Sequence, residues 1–122
     1  MGHSEEFLAA VAAVRDAVQE ITLEEWLEQR AGDGVTMLVD VREDNEWERG
    51  RLPGAVHLGR GVIERDVVQR FPNKGTPLVL YCGGGYRSLL AGKSLQDMGY
   101  TRVWSLAGGY KAWLAATGTS TS

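Results

Sequence analysis

The sequence predicts an α/β fold in which helices cover both faces of a mostly parallel five-stranded sheet. Short apolar runs alternate along the chain with longer segments in which apolar residues recur at helical spacing. The runs at residues 35–41 and 78–81 are apolar almost throughout, which is typical of parallel strands buried on both faces. A length of 122 residues suits one domain with a single modest core.

Two helices with a short strand between them are expected at the start of the chain. Residues 5–19 have helical spacing, and this helix either packs on the domain or forms a dimer contact. Ile21 follows as a short strand. Thr22 and Glu25 fit a capping box, which opens a second helix that ends at residues 31–34. The side chains of this helix that are expected to face the core are Leu23, Trp26 and Leu27.

The rest of the chain continues the alternation of strands and helices. Further strands are expected at residues 35–41, 55–58, 78–81 and 102–106. Further helices are expected at residues 43–49, 62–71, 88–98 and 110–116. Residues 117–122 are small and polar and are expected to fray. In an open sheet of this kind, ligands bind beyond the carboxyl ends of the strands.

Composition and charge argue against several classes of function. The net charge is −3 and no Lys/Arg cluster is present, so nucleic acid is not expected as a partner. No apolar stretch is long enough to cross a membrane, and the acidic start does not resemble a signal peptide, so the cytoplasm is the expected location. With one cysteine and only His3 and His57 beside it, neither a disulfide nor a metal site is expected, and no cofactor is expected.

The single cysteine, Cys82, stands where the apolar strand at residues 78–81 meets a glycine-rich loop. Such a loop can turn successive N–H groups inward and favour an anion, and the start of the next helix adds its positive dipole end. A thiolate would therefore be favoured there, which predicts a nucleophile. The alternative is a small buried hydrophobic side chain, but that role does not require the residues that follow. Those residues are Gly83, Gly84, Gly85, Tyr86, Arg87 and Ser88.

Other charged residues are expected at the same edge of the sheet. Asp40 and Arg42 flank one strand end, where they either support the pocket or form ionic ties that fix loops. Arg60 lies between two glycines at another strand end and is either an anion contact or a solvated charge. His57 could serve as the base of a cysteine hydrolase, although we favour a packed strand histidine.

Four motifs, at residues 38–42, 46–58, 82–88 and 103–113, resemble those of the single-domain rhodanese (sulfurtransferase) family. Their order and spacing match over roughly residues 20–116. The resemblance implies a rhodanese-like domain there, with residues 1–19 as a helical extension and residues 117–122 as a flexible tail. The chain departs from the family at Arg51, where histidine is frequent. It also has Gly83 where a basic residue is frequent, which predicts weaker anion binding or a different substrate preference.

The resemblance implies a double displacement at Cys82. Its thiolate attacks the outer sulfur of a donor such as thiosulfate and becomes a persulfide, and a thiophilic acceptor such as cyanide or a thiol then takes the sulfur. The loop N–H groups would hold the persulfide. Arg87 would orient the donor or brace the loop, Ser88 would donate to the sulfur or cap the helix, and Arg60 would be a second anion contact. The implied partners are a small-molecule sulfur donor and acceptor, or a protein in either role.

Two other functions stay open at this point. Cysteine-dependent phosphatases and arsenate reductases also place a cysteine and an arginine around an anion loop. Those phosphatases have five residues between the two, whereas four separate Cys82 from Arg87. The smaller ring of N–H groups suits a sulfur atom better than a tetrahedral phosphate. The other function is a persulfide carrier or interaction module that works with a protein partner.

Overall fold

The computed structural model describes residues 3–32 and 36–118, which form six helices around a sheet of five parallel strands. The predicted α/β class is confirmed. The strands are β1 (Gln19–Ile21), β2 (Met37–Asp40), β3 (Val56–His57), β4 (Leu78–Tyr81) and β5 (Val103–Leu106). The helices are α1 (Glu5–Arg15), α2 (Leu23–Gly32), α3 (Asp44–Arg49), α4 (Ile63–Arg70), α5 (Arg87–Asp97) and α6 (Gly109–Thr117).

Strand β4 lies at the centre of the sheet, whose order is β1-β5-β4-β2-β3. It pairs with β2 through Leu80 opposite Val39, and with β5 through Leu78 opposite Val103. Every residue of β4 is buried, which is why this strand is apolar throughout. Cys82 follows it directly, so the most enclosed strand carries the cysteine to the carboxyl edge of the sheet.

Helices cover both faces of the sheet, as predicted. On one face Ile63 of α4 and Leu95 of α5 pack in one cluster with Leu80. On the other face the core cluster includes Trp26 of α2, and Trp113 of α6 packs against it. Helix α1 forms an outer layer, because its apolar residues pack with α5 rather than with the sheet. The packed alternative for the first helix is thus the one observed.

The first part of the chain differs from its prediction in two ways. α1 ends at Arg15 rather than at residue 19, because Gln19–Ile21 pairs with β5 as an edge strand. The side chain of Leu27 is 41% exposed, so its expected inward position is wrong. The capping box is confirmed: the Thr22 N–H donates to Glu25 Oε1 at 2.9 Å, and the Glu25 N–H donates to Thr22 Oγ1 at 3.1 Å.

Several predictions concern residues outside the described ranges. These are the last part of the loop after α2, the start of the second strand at Val35 and most of the C-terminal tail. Within the described ranges, no helix is both long enough and apolar enough to cross a membrane.

A buried ion pair between Asp40 and Arg42 fixes the segment that contains α3. Arg42 Nη2 donates to Asp40 Oδ2 at 2.7 Å and to the Gly50 carbonyl at 2.6 Å, so the end of α3 is tied to the end of β2. The Leu52 N–H donates to the Tyr81 hydroxyl at 3.1 Å. Burial, together with the hydrogen bond to Asp40, raises the pKa of Tyr81, so its hydroxyl stays neutral.

Replacement of Arg42 by methionine should lower the free energy of unfolding by about 3–5 kcal/mol, because the Asp40 carboxylate stays buried without its partner. Urea denaturation at pH 7 measures this loss. Arg65→Met is the matched control, since Arg65 is 74% exposed in its pair with Asp66 and should change stability by less than about 1 kcal/mol. Equal losses in the two variants would contradict the structural importance of the buried pair.

Candidate active site

Cys82 lies in a loop that curls around its sulfur atom. The Gly85 N–H donates to Cys82 Sγ with a nitrogen–sulfur distance of 3.1 Å, and the cysteine is only 1% exposed. Gly85 has a φ of +102°, and a Cβ there would lie 3.3 Å from the Gly108 nitrogen. A side chain at this position would therefore be both strained and crowded. The glycine allows the loop to present a backbone donor to the sulfur.

The start of α6 packs against the backbone of this loop. The Tyr110 N–H donates to the Cys82 carbonyl at 2.8 Å, and the Lys111 N–H donates to the Gly83 carbonyl at 3.0 Å. Gly109 has a φ of +51°, and a Cβ there would overlap the carbonyl oxygen of Cys82. The two segments can approach this closely only because Gly109 has no side chain.

Two buried hydroxyl groups lie near the cysteine sulfur. Ser88 Oγ is 3.7 Å from Cys82 Sγ and 2.7 Å from Ser105 Oγ. Both serines are fully buried, so each hydroxyl depends on such partners for its hydrogen bonds. Ser88 comes from the first turn of α5 and Ser105 from β5. No sequence pattern marks Ser105, because its hydroxyl meets Ser88 only through the packing of α5 on β5.

Arg87 forms a bidentate ion pair with Glu46, at 2.7 Å from Nη1 to Oε1 and 3.1 Å from Nη2 to Oε2. Its guanidinium lies over Gly83, where an added Cβ would be 3.3 Å from Nη2. The hydrogen bond from Arg87 lowers the pKa of Glu46. The hydrogen bond to Glu46 outweighs burial and raises the pKa of Arg87, and the nearby Cys82 sulfur adds to this effect.

Glu46 is a site residue that the sequence did not reveal. It lies in the first turn of α3, where its Oε1 also accepts the Glu43 N–H at 3.0 Å. The spacing of Glu43 and Glu46 is a detectable helix-start signal. The pairing of Glu46 with Arg87, which is 41 residues away in the chain, follows only from the position of α3 against the loop.

A cavity of about 760 Å³ opens above Cys82. The charged side chains in its lining are Glu46, Arg87 and Lys111. Lys111 is a further residue that the sequence did not indicate, because its place on α6 reads as an ordinary surface position. The loop contributes Gly83 and Gly84 to the lining, while Gly85 and Ser88 approach the sulfur from outside it.

Four residues that the sequence placed near this edge of the sheet do not line the cavity: Asp40, Arg42, Arg60 and His57. The first two form the buried pair described above. Arg60 donates to Glu64 at 2.8 Å, so its expected anion contact has no support in this geometry. His57 donates from Nε2 to the Arg42 carbonyl at 2.8 Å and stacks on a tryptophan. It is a packed strand histidine, which removes the base that the cysteine-hydrolase interpretation required.

Sequence comparison links the chain to known proteins. The profile of the Rhodanese-like domain family matches residues 23–116. Over 101 residues the chain is 28% identical to YrkF of Bacillus subtilis strain 168, which is named as a proposed sulfur carrier protein. The aligned region covers 83% of this chain and 54% of YrkF, so the chain spans about half the length of that curated relative.

Two solved structures have the same fold. RPA3614 from Rhodopseudomonas palustris, a protein of unknown function described as a possible tyrosine phosphatase, is 28% identical with a TM-score of 0.80. The alignment covers 98% of this chain and 97% of RPA3614, so it includes α1. The human single-domain sulfurtransferase TSTD1 is 27% identical with a TM-score of 0.70, and the alignment covers 80% of this chain and 96% of TSTD1.

The Glu46–Arg87 pair predicts a stability difference that depends on pH. Because the folded-state pKa of Glu46 is lowered, its ionisation stabilises the fold above about pH 4.3, the ordinary glutamate pKa. This contribution is lost as the pH falls through the lowered value. Relative to Glu46→Gln, the native protein should be more stable by about 1 kcal/mol at pH 7 and should lose that advantage near pH 3. Urea denaturation at both pH values measures the difference.

Glu48→Gln is the matched control for this experiment, because Glu48 is an exposed glutamate on the same helix. The native protein should not be comparably more stable than Glu48→Gln at either pH. A pH-independent difference for Glu46→Gln would contradict an ionic role for that residue.

The close contact at Gly109 predicts a large loss of stability when a single methyl group is added there. Gly109→Ala should lower the free energy of unfolding by at least about 3 kcal/mol, because strain at positive φ adds to overlap with the Cys82 carbonyl. Gly118→Ala shares the strain, with a φ of +71°, but its Cβ meets nothing within 4 Å and should cost about 1–2 kcal/mol. Equal losses by urea denaturation would show that the contact is unimportant.

Proposed function

Since the chain belongs to the rhodanese-like domain family, we propose that it is a sulfurtransferase that works through a Cys82 persulfide. It would move a sulfane sulfur from a donor such as thiosulfate to a thiophilic acceptor such as cyanide or a thiol. The observation that carries the proposal is the Gly85 N–H, which donates to the Cys82 sulfur from a loop braced by α6. A fixed backbone donor stabilises an anionic sulfur without reorganisation during the reaction.

In the first step the Cys82 thiolate attacks the outer sulfur of thiosulfate. A bond forms between Sγ and that sulfur, while the sulfur–sulfur bond of thiosulfate breaks and sulfite leaves with the electron pair. Lys111 lines the cavity and offsets part of the negative charge of the donor. Arg87 has five N–H donors, of which Glu46 engages two, so it can both brace the loop and contact sulfonate oxygens.

In the second step the acceptor attacks the outer sulfur of the persulfide, and the Cys82 thiolate leaves. The negative charge that returns to Sγ is stabilised by the Gly85 N–H and the Ser88 hydroxyl. Ser105 supports this role, because a hydrogen bond from its hydroxyl to Ser88 Oγ would leave the Ser88 proton free for the sulfur. No separate base is needed, because neither step transfers a proton when the acceptor is an anion.

Two alternative functions are each favoured by one observation. RPA3614 is described as a possible tyrosine phosphatase, and YrkF is named as a proposed sulfur carrier. Four residues between Cys82 and Arg87 make a loop too small for the phosphatase arrangement of five. A carrier would use the same persulfide but would exchange sulfur with a protein donor or acceptor instead of small molecules.

Intact-protein mass measurement after incubation with thiosulfate tests the proposal. The protein should gain the mass of one sulfur atom and lose it when cyanide is added, with thiocyanate released. Cys82→Ser should gain nothing, because its hydroxyl is a weak nucleophile at neutral pH. Absence of an adduct together with hydrolysis of an aryl phosphate would replace sulfur transfer by the phosphatase function. An adduct that forms only with a persulfidated protein would favour the carrier.

A further inference from the structure

The charges around Cys82 are balanced, and the balance depends on Glu46. The charged side chains in the cavity lining are those of Glu46, Arg87 and Lys111. Glu46 and Arg87 form a bidentate ion pair, with distances of 2.7 and 3.1 Å, so their charges cancel. Lys111 forms no ion pair within the described part of the chain, so its positive charge is uncompensated. Once Cys82 is a thiolate, these side chains sum to zero.

Lys111 stands at a position where a lysine does not favour its own helix. It lies in the first turn of α6, where the N–H groups give the helix a partial positive charge. Acidic side chains stabilise such an end, and basic side chains oppose it. The Lys111 N–H donates to the Gly83 carbonyl at 3.0 Å, which fixes this residue beside the Cys82 loop. Its charge therefore acts in the cavity and does nothing to stabilise α6.

The charge of Glu46 can be separated from its position. Its Oε1 accepts two hydrogen bonds, one from Arg87 at 2.7 Å and one from the Glu43 N–H at 3.0 Å. A glutamine has a carbonyl oxygen in the same place and can accept both. Glu46→Gln therefore removes the negative charge while it keeps the contacts that hold Arg87 against α3.

We propose that Glu46 sets the affinity of the cavity for anions, because it cancels the charge of Arg87 and leaves Lys111 as the cation that attracts an anionic substrate. This inference rests on the proposed sulfurtransferase function and identifies the residues that govern binding at its site. Glu46 is a positioning residue that acts through Arg87. The ion pair braces the loop and at the same time lowers the anion affinity of the cavity.

Alkylation of Cys82 by iodoacetate and by iodoacetamide tests this inference without sulfur transfer. In both reactions a bond forms between Sγ and the methylene carbon of the reagent, and iodide leaves with the electron pair. The reagents differ by one negative charge. Cys82 is the only cysteine, so intact-protein mass follows a single product. The ratio of the iodoacetate rate constant to the iodoacetamide rate constant is divided by the same ratio for 2-mercaptoethanol. A change in the thiol pKa cancels, because both reagents need the thiolate.

The corrected ratio should follow the charge of the cavity. Glu46→Gln should raise it about three- to tenfold, and Lys111→Gln should lower it by a similar factor, since each changes one charge close to the bound anion. The double variant has the same cavity charge as the native protein and should return to within about twofold of its ratio. The kcat/KM for thiosulfate should change in the same order, and all these differences should shrink as the salt concentration rises.

Lys93→Gln and Glu48→Gln are the matched controls. They change the charge of the whole protein by the same amounts as the two cavity variants, but neither residue lines the cavity. Both should leave the ratio unchanged. Urea denaturation separates binding from folding, because Lys111→Gln should not lower the free energy of unfolding when a basic side chain is removed from the start of α6.

The outcomes distinguish this inference from the function on which it rests. A ratio that Glu46→Gln leaves unchanged or lowers would overturn the inference alone, provided that thiosulfate still forms a persulfide. So would a double variant with the ratio of Lys111→Gln. The expected ratios without persulfide formation would overturn the proposed function and keep the assignment of charges. Failure of both reagents to alkylate Cys82 would show that its sulfur is closed to small molecules and would overturn both.

Discussion

The close backbone contact between the Cys82 loop and the start of α6 is the constraint on which the site depends. The first N–H groups of α6 bind the carbonyls of Cys82 and Gly83. In a trans peptide the carbonyl and the following N–H point in opposite directions, and the described chain has no cis peptide bond. The N–H groups of Gly83 and Gly84 are therefore turned away from α6. Gly109 makes this contact sterically possible, and Gly85 turns the loop back toward the sulfur.

Two ion pairs, one in the scaffold and one in the cavity, extend this arrangement to side chains. The buried pair of Asp40 and Arg42 holds the segment that contains α3, and α3 in turn carries Glu46 to Arg87. The consequence is electrostatic. The sequence suggests that Arg87 is free to bind an anion, but in the fold Glu46 neutralises its charge. Lys111 then becomes the main source of positive charge in the cavity. The charge of the cavity thus depends on Glu46 of α3 and Lys111 of α6, two residues that are far apart in the chain.

The sequence predicted best what depends on short-range pattern. Apolar runs located β2, β4 and β5, and the spacing of Thr22 and Glu25 located the start of α2 to the residue. The error at Leu27 has a simple cause: helical spacing shows which residues share a side of a helix but not how wide the buried stripe is. Arg60 does not line the cavity for a related reason, since a position at a strand end places a side chain at the correct edge of the sheet but does not determine its partner.

The sequence by itself determined the class of the fold, the cysteine at the end of a buried strand and the glycines that its loop requires. These features follow from residue type and spacing over a few positions, because backbone conformation and periodicity are local. Only the tertiary structure decided that Glu46 neutralises Arg87, that Ser105 supports Ser88 and that α1 brings His3 and Phe7 to the cavity. Each of these contacts joins residues that are distant in the chain, so it depends on how helices and strands pack rather than on any pattern within one segment.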